Sequence, residues 1–382
     1  MTICARTVEH LVIGGGPAGA MAAVKLAEAG RGVTLLEKEA RPLHKVCGEF
    51  LSREAIEYLR GISVFPADLG AQAIRQVRLS SKTKIAEAVL PFPALSLSRR
   101  VLDEAMLARA AAAGCQVRRG VAVEQLSRND NGWSVRLANQ EVITARKVLL
   151  ASGKHDLRGW KRAPGSQNDL VGFKLHWRLR RAEIAALREY IELFLFSGGY
   201  GGLSLLEEET ANLCIVVRRS KLRQTGDWWS VLAAILAESV LLRRRLDGAE
   251  PLQAQPLAIA PIPYGYLAQE AKGVWRVGDQ AAVIPSFTGD GISIALHSAS
   301  LAAEFCLAGA TPDAYLHTLR GQLRNSMRLA TGLSRLMVTS PGRAVAPVAL
   351  SLLPGILRWV AASTRIPAGV LLSRGAAHRC TT

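Results

Sequence analysis

The stretch "VEHLVIGGGPAGAMAAVKLAEAGRGVTLLEKE" (residues 8–39) decides how this 382-residue chain folds. An apolar run, Leu11 to Ile13, meets Gly14, Gly16 and Gly19 in G-x-G-x-x-G spacing. An alanine-rich segment, Ala18 to Ala29, follows and stops at Gly30, and a second apolar run, Val33 to Leu36, ends in Glu37. Strand, glycine loop, helix, strand and acid in that order form a dinucleotide-binding unit. Gly14 permits the tight turn, Gly16 lets the backbone approach a pyrophosphate, and Gly19 lets the helix pack closely on the strand. The helix N-terminus offers amide donors and a partial positive charge to the phosphates. Glu37, 23 residues past Gly14, is placed to accept both hydroxyls of a ribose.

A second stretch far along the chain, "GVWRVGDQAAVIPSFTGDGISIALHSASLAAEF" (273–305), narrows the choice of dinucleotide. A strand over 274–277 runs into Gly278-Asp279, a turn at Pro285, and the cluster Gly289-Asp290-Gly291 that opens a long helix. A nicotinamide dehydrogenase has no need of this second helix start. The combination resembles the FAD-dependent oxidoreductases of the para-hydroxybenzoate hydroxylase and geranylgeranyl reductase superfamily, over residues 8 to about 310. The resemblance implies FAD as cofactor. It implies that Asp279 holds the ribityl chain and that the amides of "FTGDGI" (287–292) face the flavin pyrimidine ring. It also implies that Arg99, first residue of an R-x-x-L-D pattern, contacts the diphosphate side. By the same resemblance the expected FAD contacts include Pro17, Ala18, Lys38, Lys45, Cys47, Val123, Gly278, Gly289, Asp290, Gly291 and Ile292.

The implied architecture is α/β: a Rossmann-like FAD-binding domain of three β/β/α layers, an inserted antiparallel β-sheet substrate domain, and a C-terminal helical tail. The FAD-binding domain is expected to be discontinuous, over 1–74, 91–165 and 271–312. The β-rich segments 75–90 and 166–270 would roof the flavin, interrupted by one helix from Asp227 to Leu246, and 313–382 would form a basic helical region. In the β-rich part, "GGYGGLSL" (198–205) falls where geranylgeranyl reductases carry Gly-Tyr-x-Trp-x-Phe-Pro. Tyr200 keeps the register and is a candidate catalytic residue. Gly202, Ser204 and Leu205 replace the tryptophan, phenylalanine and proline, so the substrate pocket is altered.

"HKVCGEFLS" (44–52) sets a lone cysteine between a basic residue and a carboxylate. By itself Cys47 reads as a nucleophile, a metal ligand, a redox partner of a cofactor or a small residue in a packed turn. The resemblance puts this segment beside the flavin, where a sulfur next to Lys45 is able to protonate a substrate carbon or tune the ring. Ser152, in "ASGKHDLRGW" (151–160), stands where the related hydroxylases have an aspartate that serves FAD and NADPH, which puts the electron donor, NAD(P)H or reduced ferredoxin, in question. His155 reads as a solvated loop residue. Two reactions compete: hydride donation to a carbon-carbon double bond with Cys47 as proton source, or flavin-dependent hydroxylation of an aromatic, polyketide-like substrate. A third reading is a flavin-bearing membrane-surface binding protein without catalysis.

Composition limits the partners. The net charge is +17, and from Ala314 onward nine arginines occur without one Asp or Glu. Arg320, Arg324 and Arg328 recur every four residues and share a helix face. This tail is expected either to cap the core or to meet an anionic membrane. "VAPVALSLLPGILRWVAA" (345–362) is broken by Pro347 and Pro354 and is short for a membrane span. No nucleic-acid module accompanies the charge. Six scattered cysteines without a C-x-x-C pair suggest neither zinc nor a disulfide framework, and no signal peptide is read before the first strand. The expected site holds no metal. The expected home is the cytoplasm, with the inner membrane face as the alternative, and the expected partners are a lipophilic or aromatic small molecule and an electron-donor protein.

Overall fold

The computed structural model describes residues 6–352, 355–367 and 369–371. Cys4, Arg374, Arg379 and Cys380 lie outside the described residues.

The first β-α-β unit forms as its pattern requires. Strand Arg6–Ile13 leads into helix Pro17–Glu28 and strand Val33–Glu37. Val33–Glu37 and the His10–Ile13 half of the first strand are buried on two faces, and their side chains divide by parity. Val12 and Leu35 join the core under the helices, while Leu11, Ile13 and Leu36 pack into a second core on the other side. Burying one such leucine contributes about 2 kcal/mol. Strand Arg6–Ile13 pairs in parallel with Val33–Glu37 and with Val142–Leu150, and Val33–Glu37 pairs in parallel with Gln116–Arg119. Helices Pro17–Glu28, Arg99–Ala112 and Gly291–Leu307 cover one face. The other face is covered by strands Val123–Asn129 and Gly132–Leu137, which hang from the N-terminal half of Val142–Leu150. Its C-terminal half instead pairs in parallel with Trp275–Arg276, which brings Gly278-Asp279 back beside the glycine loop.

A nine-stranded sheet lies over this domain. Its pairings are antiparallel except one: Glu189–Phe196 runs parallel to Gln72–Ser81. The hairpin of Gln72–Ser81 and Lys84–Ser96 is a separate excursion from the lower domain, and it joins the strands from 170 to 218 side by side. Parity again sorts the side chains. Phe173, Leu175, Trp177, Leu213 and Ile215 face outward under helices Trp228–Glu238 and Val240–Leu246, leaving Gly172, Lys174, His176, Asn212 and Cys214 on the inner face. The single helix read over 227–246 is two, because Ser239 adopts an extended conformation and caps the second by accepting the amide of Leu242. Arg245 of that second helix is buried on Glu183 and Glu192, and Arg78 shares Glu192.

The C-terminal helices pack against the body of the protein. In helix Pro312–Met337, Leu316, Leu319, Leu323, Met327 and Ala330 enter the core beside Gly291–Leu307. Helices Ser340–Leu352 and Gly355–Ser363 lie against strand Lys84–Ser96. Among the described residues no helix is long and apolar enough to cross a membrane.

Candidate active site

Three adjoining cavities run between the two sheets. The first, about 460 Å³, is lined by Gly14, Gly16, Glu37, Lys38, Lys45, Arg99, Val123 and Asp279. The second, about 170 Å³, shares Gly16, Arg99 and Asp279 with it and adds Pro17, Ala18, Cys47, Gly278, Gly289, Gly291 and Ile292. The third, about 150 Å³, shares Gly48, Phe50, Cys214, Ser286 and Gly289 with the second and continues past Tyr200, Leu193, Phe92 and Phe287. Residues named from the sequence thus converge from six separate stretches. Two do not line a cavity. Gly19 is a packing residue, since a Cβ there would fall 1.8 Å from the Gly14 carbonyl oxygen. Asp290 is buried next to Arg365 and Glu54, and burial pushes its carboxyl up to about 7.

The first two cavities suit an extended dinucleotide. Gly14 has φ +107°, and a Cβ on it would meet the Ala151 carbonyl at 2.4 Å, so the loop presents bare backbone. Glu37 braces that loop by accepting the Gly15 amide at 2.7 Å and the Glu39 amide at 3.0 Å. Arg99 supplies positive charge beside Gly16. Burial works against that charge, but Asp103, which accepts from Nε at 2.7 Å and Nη2 at 2.9 Å, and the adjacent Cys47 hold the guanidinium charged. Lys45 Nζ turns to Asp103 Oδ2 at 3.1 Å. The charge beside the sulfur therefore belongs to Arg99, whereas the sequence pointed to Lys45.

The Cys47 loop is held by its carbonyls. Lys174 Nζ donates to Lys45 O at 3.2 Å and Lys154 Nζ donates to Val46 O. Asn212 Nδ2 spans Cys47 O and Gly48 O at 3.3 and 3.1 Å, and the Leu97 amide takes Glu49 O at 3.1 Å. Glu49 itself has φ +58°, and its amide donates to Cys47 Sγ at 3.4 Å. Its carboxylate is fully buried. One oxygen takes Lys174 Nζ and the Arg99 amide, and the other lies 3.4 Å from His176 Nε2. Burial opposes ionisation of Glu49, but His176 and Lys174 together hold its carboxyl below the usual range. His44 stacks edge-on against His176 at 4.4 Å, and burial, His176 and Lys174 push it down to about 4. His44, Glu49 and His176 present ligand-type atoms within 4.8 Å of one another, and the Lys174 ammonium already supplies the positive charge a metal ion would bring.

Around the third cavity, Tyr264 donates to Ser286 Oγ at 2.8 Å and Tyr200 meets the same oxygen at 3.4 Å. Both phenols are buried, which raises their pKa values. Ser152 closes its turn by donating to His155 O at 2.7 Å, and His155 is exposed. Buried Arg162 ties that turn to the cofactor strand, reaching Lys154 O at 2.8 Å and Asp279 O at 3.1 Å.

From sequence no site role falls to Lys174, His176, Asn212 or Tyr264, and Lys154 reads only as partly standing in, with Asp156 and Arg158, for the aspartate that Ser152 replaces. One signal was present: "LVGFKLHWR" (170–178) places a lysine and a histidine two apart in an otherwise apolar strand, hence on one face.

The family model described as "FAD binding domain" matches residues 7–149. A digeranylgeranylglycerophospholipid reductase of Methanopyrus kandleri is 26% identical over 316 residues, covering 78% of this chain and 76% of the relative. A menaquinone reductase of Mycolicibacterium smegmatis is 25% identical over 328 residues, with 80% and 78% covered. The solved structure of the flavin-dependent brominase Bmp2 superposes with a TM-score of 0.77 over 97% of this chain and 98% of its own, at 16% identity.

Proposed function

Since the chain belongs to the FAD-dependent oxidoreductase superfamily and carries FAD as cofactor, we propose that it reduces a carbon-carbon double bond in a lipophilic small molecule. One observation carries this reading: the apolar third cavity, walled by Phe50, Phe92, Leu193 and Phe287, opens onto the segment that holds Cys47. The relatives named as reductases of a phospholipid and of menaquinone support it.

Bound FAD supplies the hydride equivalent. Gly14, Gly16 and Arg99 take the diphosphate, Glu37 the adenosine ribose and Asp279 the ribityl chain. The apolar walls bind the substrate and keep water from the reacting carbons. Cys47 Sγ–H delivers the proton to the carbon opposite the one that receives hydride, and the Arg99 guanidinium stabilises the sulfur left negative until water reprotonates it. The pinned carbonyls of the 45–49 loop keep Sγ in place, and Tyr200 with Tyr264 and Ser286 orients the substrate's polar end. The electron donor is NAD(P)H or a reduced ferredoxin-type protein, and the enzyme works in the cytoplasm, with the inner membrane face as the alternative.

The test is turnover of prenyl-chain and quinone substrates, under anaerobic reduction by NADPH or reduced ferredoxin, with the native protein and with Cys47→Ser. Cys47→Ser should keep its FAD and lose about 10²- to 10⁴-fold in rate, the range for removing a positioned proton donor. Rates within several-fold of native would remove Cys47 from the chemistry. Oxygen consumption with a hydroxylated product would replace double-bond reduction by monooxygenation, and a bound flavin that no donor reduces would leave a binding protein.

A further inference from the structure

The largest cavity described lies away from the flavin segments, on the exposed side of helix Pro312–Met337. It is a solvent-open groove of about 650 Å³, lined by His317, Arg320, Arg324, Arg328 and Arg335, and neither Asp nor Glu contributes to it. The far wall consists of the backbone around Ser166 and Gly265–Gln269. The two outer arginines are tethered across the groove: Arg320 donates to Gln269 O at 3.3 Å and Arg335 donates to Ser166 O. Between them Arg324 and Arg328 are exposed, and among the described residues neither has a carboxylate partner.

What sets this row apart is the gathering of four arginines on one groove with no acid among its lining residues, whereas the clustered Arg78 and Arg245 share the carboxylate of Glu192. Like charges at i and i+4 repel along a helix, so the row is a cost in the empty protein that a bound anion would relieve. The same helix face carries Gly321 and Gly332. A Cβ on either would meet nothing within 4 Å, so packing does not require glycine there. Glycine also weakens a helix interior. What the two glycines do provide is an open floor between the arginine side chains.

We infer that this groove is a binding site for phosphate oxyanions, with Arg324 and Arg328 as the direct ligands and Arg320, Arg335 and His317 around them. Guanidinium forks match phosphate oxygens in pairs, and the volume suits a ligand larger than a single phosphate group. The phosphate comes either from an anionic lipid headgroup or from a soluble phosphorylated molecule. The inference is independent of the reaction at Cys47, since the groove shares no residue with the three cavities above.

Titrating FAD-loaded full-length protein with inorganic pyrophosphate tests the site, and sedimentation with phosphatidylglycerol or phosphatidylcholine vesicles tells the sources apart. Arg324→Gln with Arg328→Gln should retain FAD and melting temperature and lose at least tenfold in pyrophosphate affinity. Arg146→Gln with Arg223→Gln removes the same charge elsewhere and should change affinity less than twofold. Pelleting with phosphatidylglycerol that pyrophosphate competes away identifies a headgroup site, and pyrophosphate binding without pelleting identifies a soluble ligand. If the paired variant fails to fold, Arg328→Gln alone serves with the same expectation of weakened binding. The inference is overturned if native protein binds neither probe, if both double variants lose equally, or if vesicle binding ignores pyrophosphate and the groove substitutions.

Discussion

Lys174→Met removes the ammonium from the buried carboxylate of Glu49 while keeping the length of the side chain. Lys174 is 1% exposed and Glu49 is 0% exposed, so water does not replace the lost partner. Breaking a buried pair by deleting one member costs about 3–5 kcal/mol, because the other charge is left uncompensated. Glu49 limits that cost by taking up a proton. Holding a carboxyl of ordinary pKa, about 4.3, protonated at pH 7.5 costs about 4 kcal/mol, and the two figures agree. With an unfolding entropy of about 0.8 kcal/mol/K for 382 residues, the melting temperature should fall by about 4–6 °C at pH 7.5. In the native protein the Glu49 carboxyl lies below its unfolded value. Its stabilisation is therefore present above the usual carboxylate range and is lost as pH falls through the depressed value. In the variant the folded carboxyl lies above the unfolded one, so the penalty grows from about pH 4.3 upward and is only about 1 kcal/mol at pH 5. Differential scanning calorimetry of FAD-loaded protein at pH 5 and pH 7.5 measures both points. The double variant Glu49→Gln with Lys174→Met should recover most of the loss. A decrease below 1 °C at pH 7.5, or an equal decrease at both pH values, would refute the network as described.

Two further outcomes are expected. Asp279→Ala should weaken FAD about 10- to 100-fold, the worth of one charge-assisted hydrogen bond of about 1.5–3 kcal/mol, as read by flavin fluorescence titration; unchanged affinity would remove Asp279 from the cofactor site. Gly202→Leu places a side chain toward Leu193, 3.6 Å from where its Cβ would stand, inside the apolar cavity. It should raise KM for long-chain substrates at least tenfold while leaving FAD affinity unchanged, and an unaltered KM would move the substrate elsewhere.

The parts of this protein legible in the sequence are those whose information is local. The turn at Gly14, the close approach at Gly19 and the acid at Glu37 follow from one β-α-β unit, where each residue's neighbours in space are also near in the chain. The strand ending in Gly278-Asp279 was readable for the same reason. Tertiary structure alone decided what lies around Cys47. Lys174, Asn212 and Lys154 come from three other strands and loops, and their ammonium and amide groups reach the 45–48 carbonyls only because the upper sheet is laid over the lower domain. The lysine predicted to face the sulfur bonds Asp103 instead, since helix Arg99–Ala112 offers it a carboxylate 58 positions away, and that choice brings Arg99 to Cys47. The parallel join of Gln72–Ser81 to Glu189–Phe196 has no local signature either, because strand pairing of this separation is set by which buried faces fit. The arginine row was visible as a four-residue repeat. Whether it was buried, paired or open depended on the wall that Gly265–Gln269 builds opposite it, which only the folded chain supplies.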